Sequence, residues 1–194
     1  MLRKVPLSSR IVLTVIVSAG MLTAQTPKPA RQPDVPYVPT TEEAVQAMLK
    51  LAGVKKTDVV YDLGCGDGRI VVAAAKTYGA RGVGIDINPE RIKEAKENAK
   101  KAGVENLVRF EENDLFLASF KEATVVTLFL LPQINLKLRP KLLSELKPGT
   151  RIVSNTFDMG DWKPEKEMNL GDSEGLEFSS LSQRLYLWTV PARK

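Results

Sequence analysis

Two carboxylates and three glycines hold the most specific chemical pattern in this 194-residue sequence. Asp62 closes a β-branched run, Gly64, Gly66 and Gly68 follow at two-residue intervals, and Asp86 lies 18 residues beyond Gly68. Glycine is needed where backbone takes φ > 0 or meets a ligand with no Cβ between them, and three in five positions exceeds what a simple turn requires. The Ala-rich pattern after Arg69 opens a helix, whose first N–H groups and positive dipole end face the same ligand. The loop at Gly64, Cys65 and Gly66 therefore suits a polar or partly anionic molecule lying against backbone. Asp86, with Ile87 beside it, stands where the second strand of a βαβ unit presents a carboxylate to ribose hydroxyls.

The ligand can be narrowed further. A dinucleotide loop reads G-x-G-x-x-G, but counting from Gly64 the third glycine is replaced by Arg69. No G-K-[ST] follows the loop, so a P-loop is excluded as well. The pattern present is D-x-G-x-G-x-G, a layout suited to S-adenosylmethionine (SAM), which has no pyrophosphate to cradle. Asp62 can then help to hold its ammonium group, directly or through water. Asn113 and Asp114 come just after the third predicted strand, where an amide or acid could meet an adenine amino group; Asp114 could equally cap a helix. The sequence contains no histidine, which removes Ser-His-Asp triads and the usual zinc sites, and no metal is expected. Cys65 is the only cysteine and reads as a small residue fitting a tight loop.

These residues need a scaffold that delivers them to one edge. Residues 58–63 read as a strand, 70–78 as a helix, 81–86 as a second strand and 90–102 as a charged helix with Asn88 as N-cap, Pro89 at N1 and Gly103 as its stop. A third strand is expected at 107–111, and the near-continuous apolar run 123–132 fits a central parallel strand covered on both faces. A helix over about 140–146, a strand at 150–156 and a closing antiparallel strand at 183–190 complete an α/β pattern. Ahead of the first strand, Thr40 and Glu43 have capping-box spacing before a helix that ends near Gly53. Tyr37 precedes that helix, either as a staple fixing its entry or as a ligand contact.

The N-terminal 24 residues differ from the rest. Arg3, Lys4 and Arg10 lead into an apolar run, and the uncharged interval between Arg10 and Lys28 is 17 residues. Residues 1–24 read as a signal peptide, too short and polar for the roughly 20 apolar residues of a membrane span. Residues 25–36 form a Pro-rich linker, and 37–194 a single domain. Removing the leader takes the balance from 28 cations to 25 against 23 acids, a net +2, so the basic pI is largely the leader's. Nucleic acid is not an expected partner, since no clustered basic face is evident. The expectation is an exported or periplasmic monomer with no stable membrane insertion after cleavage.

On these residues the chain resembles class I SAM-dependent methyltransferases, and within them the small protein-lysine methyltransferases of archaeal and mitochondrial type. The resemblance spans 36–190. It is carried by Pro36-Tyr37-Val38-Pro39-Thr40, by Tyr61 to Ile70 around the glycines, by Ala123 to Thr127 with Leu130-Leu131, and by Leu146 to Arg151. It implies a Rossmann-like fold, with a mostly parallel central sheet, helices on both faces and an antiparallel C-terminal strand. It also implies SAM as cofactor, in-line methyl transfer and a protein substrate presenting lysine. Tyr37 and Thr40 join the cofactor contacts on that basis. Two features depart from the relatives: Asn155 stands where their Ser-His pair has histidine, and a leader precedes the domain.

Amino methyltransferases acting on planar nitrogens commonly carry Asn/Asp-Pro-Pro-aromatic after strand 4, whereas this chain has Phe129-Leu130-Leu131-Pro132. An apolar wall at Phe129 and Leu131 suits the aliphatic stem of lysine. Trp162 either lines the substrate mouth or packs on the sheet edge. A lysine must be neutral to attack, and from a reference pKa of about 10.4 its deprotonation at pH 7 costs about 4.6 kcal/mol, a cost that burial in an apolar channel reduces. No general base is assigned. The alternatives are methyl transfer to a small molecule or another acceptor, and an exported SAM-fold binding protein without catalysis.

Overall fold

The computed structural model describes residues 37–170 and 184–193; the expected signal peptide at 1–24, the expected linker at 25–36 and the first residue of the expected closing strand, Gln183, lie outside them. Among the described residues the order is α1 (Glu42–Leu51), β1 (Val59–Leu63), α2 (Arg69–Tyr78), β2 (Arg81–Asp86), α3 (Pro89–Ala102), β3 (Val108–Glu112), β4 (Val125–Leu128), α4 (Pro132–Glu145), β5 (Arg151–Asn155), β6 (Lys166–Asn169) and β7 (Arg184–Thr189).

The strands form one sheet ordered β3-β2-β1-β4-β5-β7-β6. The first five are parallel, β7 runs antiparallel to β5, and β6 antiparallel to β7. The strand order reverses between β1 and β4, which opens a crevice beyond their carboxyl ends, where ligands of open α/β sheets bind. Strands β1 and β4 are buried along their whole length because helices or loops cover both faces. On one face Val60, Val125 and Val153 pack with Met48, Leu49, Val71 and Ala95 from α1, α2 and α3. On the other, Leu63, Val126 and Ile152 pack with Leu138 and Leu142 of α4 and with Phe120 and Trp188. Each such fully buried Leu, Ile or Val contributes about 1.5–3 kcal/mol relative to exposure.

Several boundaries move from where the pattern puts them. Thr41, not Thr40, is the N-cap of α1, accepting from the Ala44 N–H at 3.2 Å; there is no capping box with Glu43, and Thr40 is buried instead. The apolar run 123–132 is strand only over Val125–Leu128. Helix α4 begins at Pro132 rather than near Pro140, because Pro132 takes the N1 position where a missing N–H costs nothing, and Pro140 is carried inside the helix. Strand β6 was not expected: in Lys166-Glu167-Met168-Asn169 only Met168 packs against the core and the other three residues are polar and exposed, as an edge strand with nothing beyond it can be.

The parallel topology sorts charge as well as structure. Every strand of the parallel set ends, and every long helix begins, at one edge. That edge collects Glu42 and Glu43 in the first turn of α1, Glu90 in that of α3, and Asp86, Glu112, Asp114 and Asp158 after strands. The opposite edge collects Lys50, Lys76, Lys100 and Lys101 in the last turns of α1, α2 and α3, with exposed Lys55, Lys56, Lys121 and Lys147 in the loops entering strands. α1 and α3 are thereby charged to complement their dipoles at both ends, and α2 at its C-terminus alone.

Candidate functional site

The glycine loop is built by handing its N–H groups to β2. The Gly64 and Cys65 N–H groups both donate to the Ile85 carbonyl, at 2.8 and 3.0 Å, and the Gly66 N–H donates to Asp86 Oδ2 at 2.9 Å. The Asn88 N–H donates to the other oxygen, Oδ1, also at 2.9 Å. Asp86 therefore fixes the loop before any ligand arrives. A carboxylate offers about four acceptor positions, so each oxygen still has one to give to hydroxyl groups in the cavity.

The loop glycines are required by both backbone and space. Gly66 has φ +51°, and a Cβ there would stand 2.3 Å from Cε2 of Tyr37; at Gly64, φ +81°, it would meet Leu130 Cδ2 at 2.9 Å. Tyr37 lies against the loop because no side chain intervenes, and the Arg91 guanidinium sits 4.6 Å from the centre of its ring. Arg69, in place of a third dinucleotide-type glycine, ties this strap down. Its Nη1 donates to the Thr40 carbonyl at 2.7 Å, while Nε and Nη2 donate to the two carboxylate oxygens of Asp67 at 2.9 and 2.7 Å.

Together these elements enclose a cavity of about 500 Å³ at the carboxyl ends of β1, β2 and β4. Of the residues singled out from sequence, Tyr37, Thr40, Asp62, Gly64, Cys65, Asp86, Ile87, Asp114 and Phe129 line it. Gly66 supports the loop from behind. Asn113 donates its backbone N–H to the Asp86 carbonyl at 3.0 Å and is not part of the lining. Leu131 is exposed beside the mouth, between the lining residues Leu130 and Ile134. Trp162 lies outside the cavity: its ring is 6.0 Å from that of Trp188, and its carbonyl accepts from Trp188 Nε1 at 2.7 Å.

Arg91, Phe116 and Ile134 also line the cavity and were not foreseen from sequence. Arg91 had a usable signal, being in the first turn of the helix that starts just after Asp86. Phe116 had none, because the β3 to β4 connection carries no periodicity.

Electrostatics in the cavity favour a cation. Asp62 is 3 % exposed and accepts from Thr127 Oγ1 at 2.7 Å. Burial, with smaller help from Asp86 and Asp67, pushes its carboxyl up to about 7 against the Thr127 hydrogen bond. Burial likewise pushes the Cys65 thiol far above its ordinary range, with Asp62 adding to it, so Cys65 is a packing residue and not a nucleophile. Among the described residues no group of three or more His, Cys, Asp or Glu is placed to hold a metal ion.

The far wall is different in kind. Phe129, Leu130 and Ile134 form it, and the Phe129 ring stacks at 6.5 Å on Phe157, which follows β5. Thr156 holds φ +67°, the sole non-glycine residue with positive φ among those described, and the Phe157 N–H closes back onto the Asn155 carbonyl at 2.8 Å. This is a γ-turn of the rare, strained form. Asn155 is fully buried; its Oδ1 accepts from Thr156 Oγ1 at 3.1 Å, while its Nδ2 has no partner among the described residues. Asn135 on α4 spreads its Nδ2 over Ser154 Oγ and the Phe157 and Asp158 carbonyls, each at 3.3 Å, and its Oδ1 has no partner among the described residues.

A seven-stranded sheet in this order, with a glycine loop after β1 and a carboxylate at the end of β2, defines the class I methyltransferase fold. The chain belongs to the ANTKMT methyltransferase domain family, whose model matches residues 62–166. It is 44% identical over 163 residues to a protein-lysine N-methyltransferase of Saccharolobus islandicus, covering 84% of this chain and 98% of that one. It is 35% identical over 130 residues to the adenine nucleotide translocase lysine N-methyltransferase of Mus musculus, covering 67% of this chain and 56% of that relative. A solved structure from Salinibacter ruber, described as an RNA methyltransferase in complex with S-adenosyl-L-homocysteine, is 52% identical, with a TM-score of 0.75, over 81% of this chain and 96% of that one.

Proposed function

We propose that this protein is a SAM-dependent methyltransferase whose acceptor is the side-chain nitrogen of a protein lysine. The observation that supports the cofactor best is the pairing of a glycine cradle, into which no Cβ fits, with Asp86, which has acceptor positions to spare. Asp86 would hold the ribose hydroxyls, the backbone at Gly64 to Gly66 the amino-acid portion, and Asp62 the ammonium. SAM supplies an electrophilic methyl group on a sulfonium for in-line displacement. The chain supplies position, which is worth several kcal/mol in a two-reactant step. Phe129, Leu130 and Ile134 give the acceptor's aliphatic stem an apolar wall, and exclusion of water there favours the neutral amine.

The Salinibacter relative is described as acting on RNA, so RNA is the second reading. The charge distribution argues against it, because in the cavity lining four carboxylates, Asp62, Asp67, Asp86 and Asp114, face two arginines, Arg69 and Arg91, and lysines cluster at the opposite edge, where a polyanion cannot present a base. Incubation with labelled SAM, total protein and total RNA, followed by mass spectrometry of the labelled fraction, decides the matter. Methyl-lysine is expected; label confined to nucleotides, small molecules or glutamine would overturn the lysine assignment. We also hold that residues 1–24 direct export of a monomeric domain. Sequencing the N-terminus of the protein from its native host should find a start near Gly20 or Gln25, and an intact Met1 in the cytoplasm would refute export.

A further inference from the structure

The large apolar side chains that are exposed among the described residues are Tyr37, Val38, Leu117, Leu131 and Leu136, and each lines the cavity or stands within two residues of one that does. Tyr37 and Val38 line it on one side. On the other, Leu131 sits between Leu130 and Ile134, Leu117 follows Phe116, and Leu136 is two residues beyond Ile134, near Gly160. Lys137 Nζ lies 4.1 Å from the centre of the Phe116 ring, which joins the Leu117 loop to the start of α4. One exposed leucine is ordinary, but exposed apolar side chains gathered at one site, with Leu117 at 76 % exposure, mark an interaction surface.

The second observation is charge. The edge bearing this rim carries Asp86, Glu90, Glu112, Asp114 and Asp158 beside Arg69, Arg91 and Lys137, a net negative balance, whereas the opposite edge is rich in lysine. A negative mouth on an otherwise positive molecule draws in a cationic segment mouth-first and repels anionic lipid headgroups and nucleic acid.

Resting on the lysine reading, we propose that the rim selects the acceptor by sequence: it takes an extended protein segment in which the target lysine is flanked by bulky apolar residues. The lysine is drawn toward the acidic mouth, and its neighbours on either side are buried, one against Leu117 and Leu136 and the other against Tyr37 and Val38. Leu117 and Leu136, which lie outside the cavity lining, are specificity-determining residues.

The test compares two peptides with one central lysine, flanked in one by Leu and Phe and in the other by Glu and Ser, on the wild type and on the double variant Leu117→Asp, Leu136→Asp. The wild type should show kcat/KM at least 10-fold higher for the apolar-flanked peptide. The variant should keep its affinity for SAM and lose most of that preference through KM. Equal wild-type rates on the two peptides, or a preference that survives in the variant, overturns the inference. Wild-type binding to anionic vesicles that disappears in the variant, with peptide kinetics unchanged, would assign the rim to a membrane instead and overturn it as well. Intact SAM binding with no methyl transfer to lysine in either peptide would instead sink the lysine reading on which the inference stands.

Discussion

The two sides of the cavity are held by different means. On the β1–β2 side, backbone N–H groups of Gly64, Cys65, Gly66 and Asn88 all end on named acceptors, and Asp86 is committed to the loop before a ligand binds. On the β4–β5 side the wall is made of side chains, the turn at Thr156 is strained, and two buried amides have an atom with no partner among the described residues. A cofactor of fixed shape can be met by fixed backbone. An acceptor that arrives as part of another macromolecule is met by apolar side chains and a turn under tension, features that can be altered without disturbing the loop.

If that division is real, the largest effect belongs to Asp86. Asp86→Ala removes the acceptor of two backbone N–H groups and the ribose contact together. At about 1.5–3 kcal/mol for a hydrogen bond to a charged group, SAM affinity should fall about 100-fold by calorimetry. Phe129→Ala on the other side should leave SAM affinity within about threefold and act on the acceptor KM. A Phe129 variant that weakens SAM as much as Asp86→Ala would break the division outright.

The next effect is in the pH dependence of SAM binding and tests whether Asp62 belongs to the cofactor side. Its carboxyl titrates at about 7 in the folded protein against an ordinary 3.8. Because the folded value is the higher one, the group's contribution to stability is complete below the unfolded pKa and is lost as pH rises through about 7. A bound cation reverses the preference, so below pH 7 SAM must displace a proton. Affinity should fall as pH drops from 8 to 5, with a limiting slope of about tenfold per unit, and calorimetry in two buffers of different ionisation enthalpy should register proton release. Asp62→Asn should flatten the profile. A flat profile in the wild type would detach Asp62 from the ammonium.

The same division explains what could be read in advance. Asp62, Gly64, Gly66 and Asp86 were legible because backbone recognition constrains residue type: glycine where φ is positive, a carboxylate where a strand ends beside the loop. The parallel strands and the Asn88-Pro89 helix start were legible for a similar reason, as local chemistry and burial agreed. The acceptor side gave weaker signals. Trp162 reads equally as a mouth residue or a packing residue in sequence, because nothing local shows that Trp188 of β7 lies beside it. The start of α4 was misplaced because Pro132 and Pro140 have equal claims to N1, and tertiary packing of Leu138 and Leu142 decides between them. Strand β6, with Met168 its one apolar residue, forms because β7 offers it an edge. Leu117 and Leu136 carry no motif at all.

The smallest effect comes from making the same kind of change on both sides. At the loop, Gly66→Ala forces a Cβ into a φ of +51° and toward the Tyr37 ring, so it should destabilise the protein and displace the strap. At the far wall the sign reverses, because Thr156 already bears the strain of a positive φ, a cost on the order of 1–3 kcal/mol. Thr156→Gly relieves that strain but adds about 0.5–1 kcal/mol of unfolded-chain entropy and gives up the hydroxyl contact to Asn155. Thr156→Ala gives up the same contact and keeps the strain, so the difference between the two variants is the strain less the entropy cost of glycine. Thr156→Gly should be the more stable by about 1 kcal/mol, a rise of about 2–4 °C in Tm, with SAM affinity unchanged and the acceptor KM raised as Phe157 loosens from Phe129. A Thr156→Gly variant less stable than Thr156→Ala by the full glycine entropy of about 0.5–1 kcal/mol would mean the turn stores nothing, and the acceptor side would then be as relaxed as the glycine loop.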